Sequence, residues 1–359
     1  MRIKRLGLKN YRNCKDVSLD FKSMKSLIIG KNAQGKTNIL ESIYFLSDLK
    51  SPRTSTVSDL IKFGENKFEI NAQVERNNTD IELDFSYDSD KKREIKINKL
   101  KTTAKSFKQV IKTVLFSTKD LSLLRGTPQD RRDWLDRAIS QIYPAYDERL
   151  SKYDKIRIQK NNLLKNEQID EALYDIYNEQ LVITGANIIF LRKKFLKEIE
   201  QIASDKHRVI SDTEEFGLNY TCPYEDIEAI SNYLKQELRE RRREEFARRQ
   251  SCVGPHRDDI EFTINGMDAT KFASQGQQRT LVLSLKLSEL EIIRGKTGFS
   301  PILLLDDVLA ELDEMRQNYL LKSIEKDTQT IITSVDTLLF EEEFLKDVII
   351  YRVEGGNII

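Results

Sequence analysis

Eight consecutive residues, Gly30-Lys31-Asn32-Ala33-Gln34-Gly35-Lys36-Thr37, constrain this chain more than any other feature. They follow the apolar run Leu27-Ile28-Ile29 and precede the helix-forming Asn38-Ile39-Leu40-Glu41. A strand, a G-x-x-x-x-G-K-[ST] loop and a helix in that order make a phosphate-binding P-loop within an α/β fold. The glycines let backbone N–H groups wrap a phosphate, and the helix N-terminus adds partial positive charge. Gly30, Lys31, Asn32, Ala33, Gln34, Gly35, Lys36, Thr37 and Asn38 are therefore the expected nucleotide-binding residues. Lys36 is expected to face solvent and neutralise the β- and γ-phosphates of ATP, and Thr37 to ligate Mg²⁺. The alternative, a glycine-rich turn before an ordinary helix, is disfavoured by the flanks.

A second element is Ile302-Leu303-Leu304-Leu305-Asp306-Asp307. A buried strand ending in acids at a phosphate site is what metal-assisted hydrolysis needs. Asp306 would hold Mg²⁺ through water. Asp307 would polarise the attacking water, sharing the catalytic role with Lys36. The plainer reading is a strand capped by Asp at the next helix.

Alternating apolar residues mark half-buried antiparallel strands at 16–21, 68–74, 81–87 and 95–97. Asn77-Asn78 reads as a hairpin turn. Pro128 opens a mostly helical stretch running to about residue 250. Within it, a hairpin near 146–203 reads as two helices of about 27 residues, each ~40 Å long. Strands return at 260–264, 301–305 and 330–332, separated by helices, which adds a parallel component. Residues 1–127 with 251–359 are expected to form one head, and 128–250 a helical insertion lobe.

Lys and Arg total 59 against 58 Asp and Glu, so no uniform basic coat advertises a nucleic-acid partner. Any such contact must come from a local patch. Cys14, Cys222 and Cys252 have neither metal-ligand nor disulfide spacing, which fits a reducing cytoplasm. Met1-Arg2-Ile3-Lys4 reads straight into a strand, so no leader is expected. Nowhere do 18 apolar residues run together, so no membrane partner is expected.

Ala273-Ser274-Gln275-Gly276-Gln277-Gln278-Arg279 precedes a helix-like stretch, and its Ser274 lies 32 residues before Asp306. It resembles the LSGGQ signature of ABC-type ATPases, with Ser274 and Gly276 at matching positions and Gln277 beside them. That resemblance implies a surface for the γ-phosphate of an opposite subunit; taken in isolation the segment reads rather as an ordinary capped helix. Glu311-Leu312-Asp313 resembles the D-loop. At the switch position, where ABC transporters carry histidine, the chain has Thr333-Ser334-Val335.

The resemblance extends further. Leu8-Lys9-Asn10-Tyr11-Arg12-Asn13 is similar to the opening of RecF and its SMC-type relatives. Ser51-Pro52-Arg53-Thr54 is similar to the RecF S-H-R-T element, with Pro52 in place of His. Gly126-Thr127-Pro128-Gln129-Asp130-Arg131-Arg132 matches G-x-P-x-x-R-R, and Gly254-Pro255-His256-Arg257-Asp258-Asp259 matches G-P-H-R-D-D. The blocks occur in RecF order across nearly the whole chain. Where RecF usually has P-E-D, this chain has Thr118-Lys119-Asp120. The resemblance implies an α/β ABC-type ATPase head, with mixed and antiparallel sheets around the P-loop and an inserted α-helical lobe. It implies that Arg12 and Asn13 lie around the nucleotide. It also implies slow ATP hydrolysis, an ATP-dependent homodimer, binding of single-stranded, double-stranded and gapped DNA, and recombinase loading with RecR and RecO.

Candidate DNA contacts are Arg53, Arg131, Arg132, and Arg241, Arg242 and Arg243 within 235–249. That segment holds seven Lys/Arg and four Glu, so it reads either as a phosphate contact or as a solvated helix laced with ion pairs. Trp134 reads as core rather than as a base-stacking platform. Two other functions fit the sequence less well. An SMC-like DNA-bridging ATPase would need long heptad arms, and none appears. A transporter subunit would carry its P-loop and signature much closer together, along with the missing histidine.

Overall fold

The computed structural model describes residues 1–211 and 213–359. In chain order the strands are β1 (Arg2–Tyr11), β2 (Cys14–Asp20), β3 (Lys25–Ile29), β4 (Lys67–Arg76), β5 (Thr79–Asp88), β6 (Arg93–Ile97), β7 (Leu100–Lys101), β8 (Thr113–Ser117), β9 (Phe216–Tyr220), β10 (Ile260–Ile264), β11 (Met267–Asp268), β12 (Ile302–Asp306), β13 (Thr330–Ser334), β14 (Val348–Glu354) and β15 (Asn357–Ile358). The P-loop helix is α1 (Lys36–Asp48). The chain divides into two compact units, 1–120 with 289–359, and 121–288. The sequence reading set these seams at 127/128 and 250/251.

In the first unit, β2-β1-β4-β5-β6-β7 form an antiparallel sheet. Its period-two burial comes from Ile3, Leu6 and Leu8 on β1 and from Phe68, Ile70, Ala72 and Val74 on β4. Asn77 and Asn78 have φ of 50° and 58° in a two-residue turn, the left-handed pair that matches strand twist. The second sheet runs β15-β14-β3-β13-β12-β8, and β14, β3, β13, β12 and β8 are mutually parallel. Helix α1 is buried along nearly its whole length. Phe45 meets Phe68 and Phe85 of the antiparallel sheet edge-on, while Ile39, Leu40 and Ile43 share a core with Ile28, Ile302, Leu304 and Ile331 of the parallel sheet. A helix wedged between two sheets cannot shift without opening both, so the P-loop at its start has a fixed seat.

The second unit is built on helices Tyr146–Leu164 and Glu171–Ile210, of 19 and 40 residues. The expected equal helices are thus unequal. The chain breaks at 165–170, where the Asp170 carboxylate accepts from Leu173 N–H and restarts the helix. The mostly helical expectation also missed β9, which pairs with β10 at one edge of the three-stranded antiparallel sheet β11-β10-β9. Trp134 packs against Phe195 and Phe262 and is core.

Charge lies deep in this unit. Lys160 and Glu245 pair at 2.6 Å with both side chains fully buried, and Glu245 also accepts from Tyr174 OH and Cys252 N–H. Arg192 bridges Asp136, Tyr220 OH and the Pro255 carbonyl, while His256 Nδ1 meets Tyr153 OH at 2.7 Å. Burial pushes the His256 imidazole down to about 3, so it is neutral. Removing one member of a saturated buried pair strands the other charge. Lys160→Ala should therefore lower this unit's denaturation free energy by about 3–5 kcal/mol. Chemical denaturation followed by Trp134 fluorescence checks this, and a loss under 1 kcal/mol would contradict it.

Candidate nucleotide site

The P-loop crosses from β3 into α1 with two left-handed residues, Ala33 at φ 65° and Gly35 at φ 111°. The N-cap of α1 is Gly35, which has no side chain to cap the first N–H groups of the helix. The loop is clasped from outside. Asn13, in the turn between β1 and β2, donates from Nδ2 to Gln34 O and accepts from Asn38 Nδ2 through Oδ1. The turn between β14 and β15 adds a second clasp. Gly355 N–H donates to Gln34 Oε1 at 2.6 Å and Gly356 N–H to Gln34 O at 2.9 Å. Both glycines of the motif are needed for contact. A Cβ on Gly30 would lie 2.4 Å from Val353 O, and one on Gly35 would lie 2.7 Å from Asn13 Oδ1.

Lys36 is buried, not solvent-facing as expected. Its ammonium donates to Gly30 O and Lys31 O, and stands 3.9 Å from Asp307 Oδ2. The loop wraps its own lysine, because those carbonyls are the nearest acceptors. Thr37 Oγ1 donates to Asp306 Oδ1 at 2.9 Å, joining residues 269 positions apart. Burial raises the Asp306 carboxyl above its ordinary range; hydrogen bonds from Thr37 and Thr333 pull it back, and the Asp307 charge adds to the rise. Asp307 is left-handed at φ 51°, and its Oδ1 is buried without a hydrogen-bond partner. A hydroxyl and a carboxylate converging at a phosphate loop form the hard oxygen set that suits Mg²⁺.

Arg12 sends its side chain to α1. It makes a bidentate pair with buried Glu41, at 2.7 and 3.0 Å. Arg53 reaches the same carboxylate and donates to Asn38 Oδ1 at 2.6 Å. This places Arg53 beside the start of α1. Sequence reasoning gave no role to Glu41 or the Gly355-Gly356 turn, and read Thr333 only as part of a switch position without histidine. The Gly-Gly pair after the apolar Val348–Tyr351 run was the available signal for that hairpin.

In the second unit, Ser274 is exposed at the start of helix Gln275–Thr297. Ser274 Oγ accepts from Gln277 N–H while Gln277 Oε1 accepts from Ser274 N–H, a reciprocal capping box. Gln277 also donates to Glu214. Of the basic candidates, Arg131 is buried against Asp259 in a bidentate pair, and this structural bridge removes it as a phosphate contact. Arg132 donates to Asp258 O and Gln129. Arg241 pairs with Glu244 and Arg242 with Glu171. Arg243 is exposed, and among the described residues no ion pair engages it.

A mixed sheet carrying a P-loop opposite two acids, with a capped Ser-x-Gly-Gln helix elsewhere in the chain, defines a P-loop ATPase head of the ABC/SMC type. The RecF/RecN/SMC N terminal domain model matches residues 2–357. The chain is 42% identical to the DNA replication and repair protein RecF of Streptococcus gordonii, over 100% of both chains. A solved structure of the recombination mediator protein RecF-ATPrS in the RecFOR pathway superposes with a TM-score of 0.92 at 34% identity, covering 99% of this chain and 97% of that one. An SmcHead structure, at 16% identity and a TM-score of 0.58 over 100% and 97% of the chains, shares the fold. The chain belongs to the RecF family of DNA replication and repair proteins.

The close seat of Gly30 on Val353 O makes a direct prediction. Gly30→Ala must push the loop off the β14 backbone, so affinity for a fluorescent ATP analogue should fall at least about tenfold, roughly 1.4 kcal/mol. Unchanged affinity in an equilibrium titration would show that this contact does not shape the site.

Proposed function

We propose that this chain is a slow, Mg²⁺-dependent ATPase that uses ATP to dimerise on DNA. In this reading it helps load a recombinase at gapped DNA in the cytoplasm, with RecR and RecO as partners. The supporting observation is the Thr37–Asp306 contact, which brings the hydroxyl and the carboxylate together beside the P-loop. Thr37 and Asp306 would hold Mg²⁺, directly and through water, and the ion would neutralise charge on the β- and γ-oxygens. Lys36 would leave the loop carbonyls for the phosphates. Asp307, with one oxygen unpartnered, would orient the attacking water. Ser274, Gly276 and Gln277 of a second copy would close over the γ-phosphate. ADP lacks that group, so hydrolysis would release the subunits.

The cytoplasmic assignment is supported by three free, buried cysteines, which suit a reducing compartment. No helix among the described residues is long and apolar enough to cross a membrane. The bridging alternative is disfavoured by arm length: the 40-residue helix spans only about 60 Å. For DNA, Arg132, Arg241, Arg242 and Arg243 remain the candidates. Three of these four already have acceptors, so phosphate binding there would exchange partners rather than engage idle charge.

Three measurements test this. Lys36→Ala should abolish ATP hydrolysis while the protein keeps its fold by circular dichroism; wild-type turnover would end the P-loop reading. Asp307→Asn should accumulate as dimer with ATP in sedimentation velocity, whereas Ser274→Arg should bind ATP and stay monomeric. A Ser274→Arg protein that dimerises like wild type excludes a composite site. Neutralising Arg242 and Arg243 should weaken duplex binding at every sequence and lower the salt slope by about 0.9 per lost contact. An unchanged slope would move the DNA elsewhere.

A further inference from the structure

The switch position carries no histidine, yet Thr333 stands at the end of β13 among the acids of the site. Its side chain is buried, with 1% of the residue exposed, and strand register places it opposite Asp306 on one side and Ile28 on the other. The single hydroxyl does two things. It donates to Asp306 Oδ1 at 2.9 Å, and it accepts the backbone N–H of Asp307 at 2.9 Å. A hydroxyl with one proton and two lone pairs meets both demands at once.

The second bond matters because of where it lands. Asp307 is a left-handed, non-glycine residue at φ 51° and ψ 16°. Side chains avoid that conformation unless surrounding contacts over-determine it. Here it turns the chain sharply off β12, leaving Asp307 Oδ2 3.9 Å from Lys36 and Oδ1 buried without a partner. An extended or right-handed Asp307 would point its carboxylate elsewhere. The geometry points to Thr333 as the positioning residue of this ATPase: its hydroxyl locks the left-handed turn that aims Asp307 and joins that turn to the Mg²⁺-side Asp306. Thr333 touches no phosphate in this role and acts through the two aspartates. The inference rests on the hydrolysis reading of Lys36, Asp306 and Asp307 given above.

Two substitutions separate the hydroxyl from the volume. Thr333→Val keeps the shape and removes both hydrogen bonds, and Thr333→Ser keeps the hydroxyl. Hydrogen exchange of the peptide spanning 303–310, read without nucleotide, should be faster than wild type in Thr333→Val and close to wild type in Thr333→Ser. The kcat for ATP should fall about 10–100-fold in Thr333→Val, the scale expected for a misplaced catalytic group, with KM changed less than about threefold. Thr333→Ser should restore most of it. In an Asp307→Ala background, Thr333→Val should cost clearly less than in the wild-type background, because only the bond to Asp306 remains to be lost. Unchanged exchange in Thr333→Val, failure of serine to rescue, or an undiminished cost in the Asp307→Ala background would each overturn the proposal. If wild-type protein binds but never hydrolyses ATP, the hydrolysis reading fails instead, while the exchange result still reports on the brace itself.

Discussion

Asp306 Oδ1 receives hydroxyl hydrogen bonds from Thr37 and Thr333, both at 2.9 Å. The rest of the site depends on this three-way junction. It ties the start of α1 to the ends of β12 and β13, three elements whose sequence positions span most of the chain. A carboxylate at that depth is costly without donors, and the two hydroxyls offset its desolvation. The parallel sheet makes the junction possible. Register aligns Asp306 with Thr333, and Thr333 with Ile28 near the P-loop, so all three strand ends open on one side.

A phosphate loop must also hold a defined shape. Here the shape is imposed from two directions. Asn13 clasps Gln34 and Asn38 from the turn between β1 and β2, and the Gly355-Gly356 turn clasps Gln34 from the C-terminal hairpin. Gly30 and Gly35 are glycines partly because backbone and side chain from these clasps sit where a Cβ would go. Burial of α1 between two sheets fixes the other end of the loop. Nucleotide would then meet a preformed cradle, with Lys36 as the one group that must change acceptors.

Much of this was legible in the chain. The P-loop and the Asp306-Asp307 pair follow from chemistry with strict spacing, and period-two patterning marked β4, β5, β6 and β10. Asn77-Asn78 was readable because only a few residues tolerate two left-handed positions in succession. What escaped depended on tertiary pairing. β9 lies after a 40-residue helix and is a strand because β10 offers it a partner, while its own Phe-Gly-Leu-Asn-Tyr carries little strand signal. Arg131 looked like a phosphate ligand because arginine side chains in sequence do not reveal their partners; Asp259, 128 positions away, takes it up. Lys36 looked solvent-facing because the motif says nothing of which backbone carbonyls the loop turns toward it. Thr333 was noticed only as a missing histidine, since its importance lies in the αL turn of a neighbouring strand end.

The central claim is that four segments remote in sequence, 28–40, 303–308, 330–335 and 353–358, form one site for ATP and Mg²⁺. Hydrogen exchange across the whole chain, with and without saturating Mg²⁺ and a non-hydrolysable ATP analogue, tests it most directly. The account predicts slower exchange in all four segments together, appearing over the same range of ligand concentration. Protection confined to one segment, or protection elsewhere with these four unchanged, would contradict it.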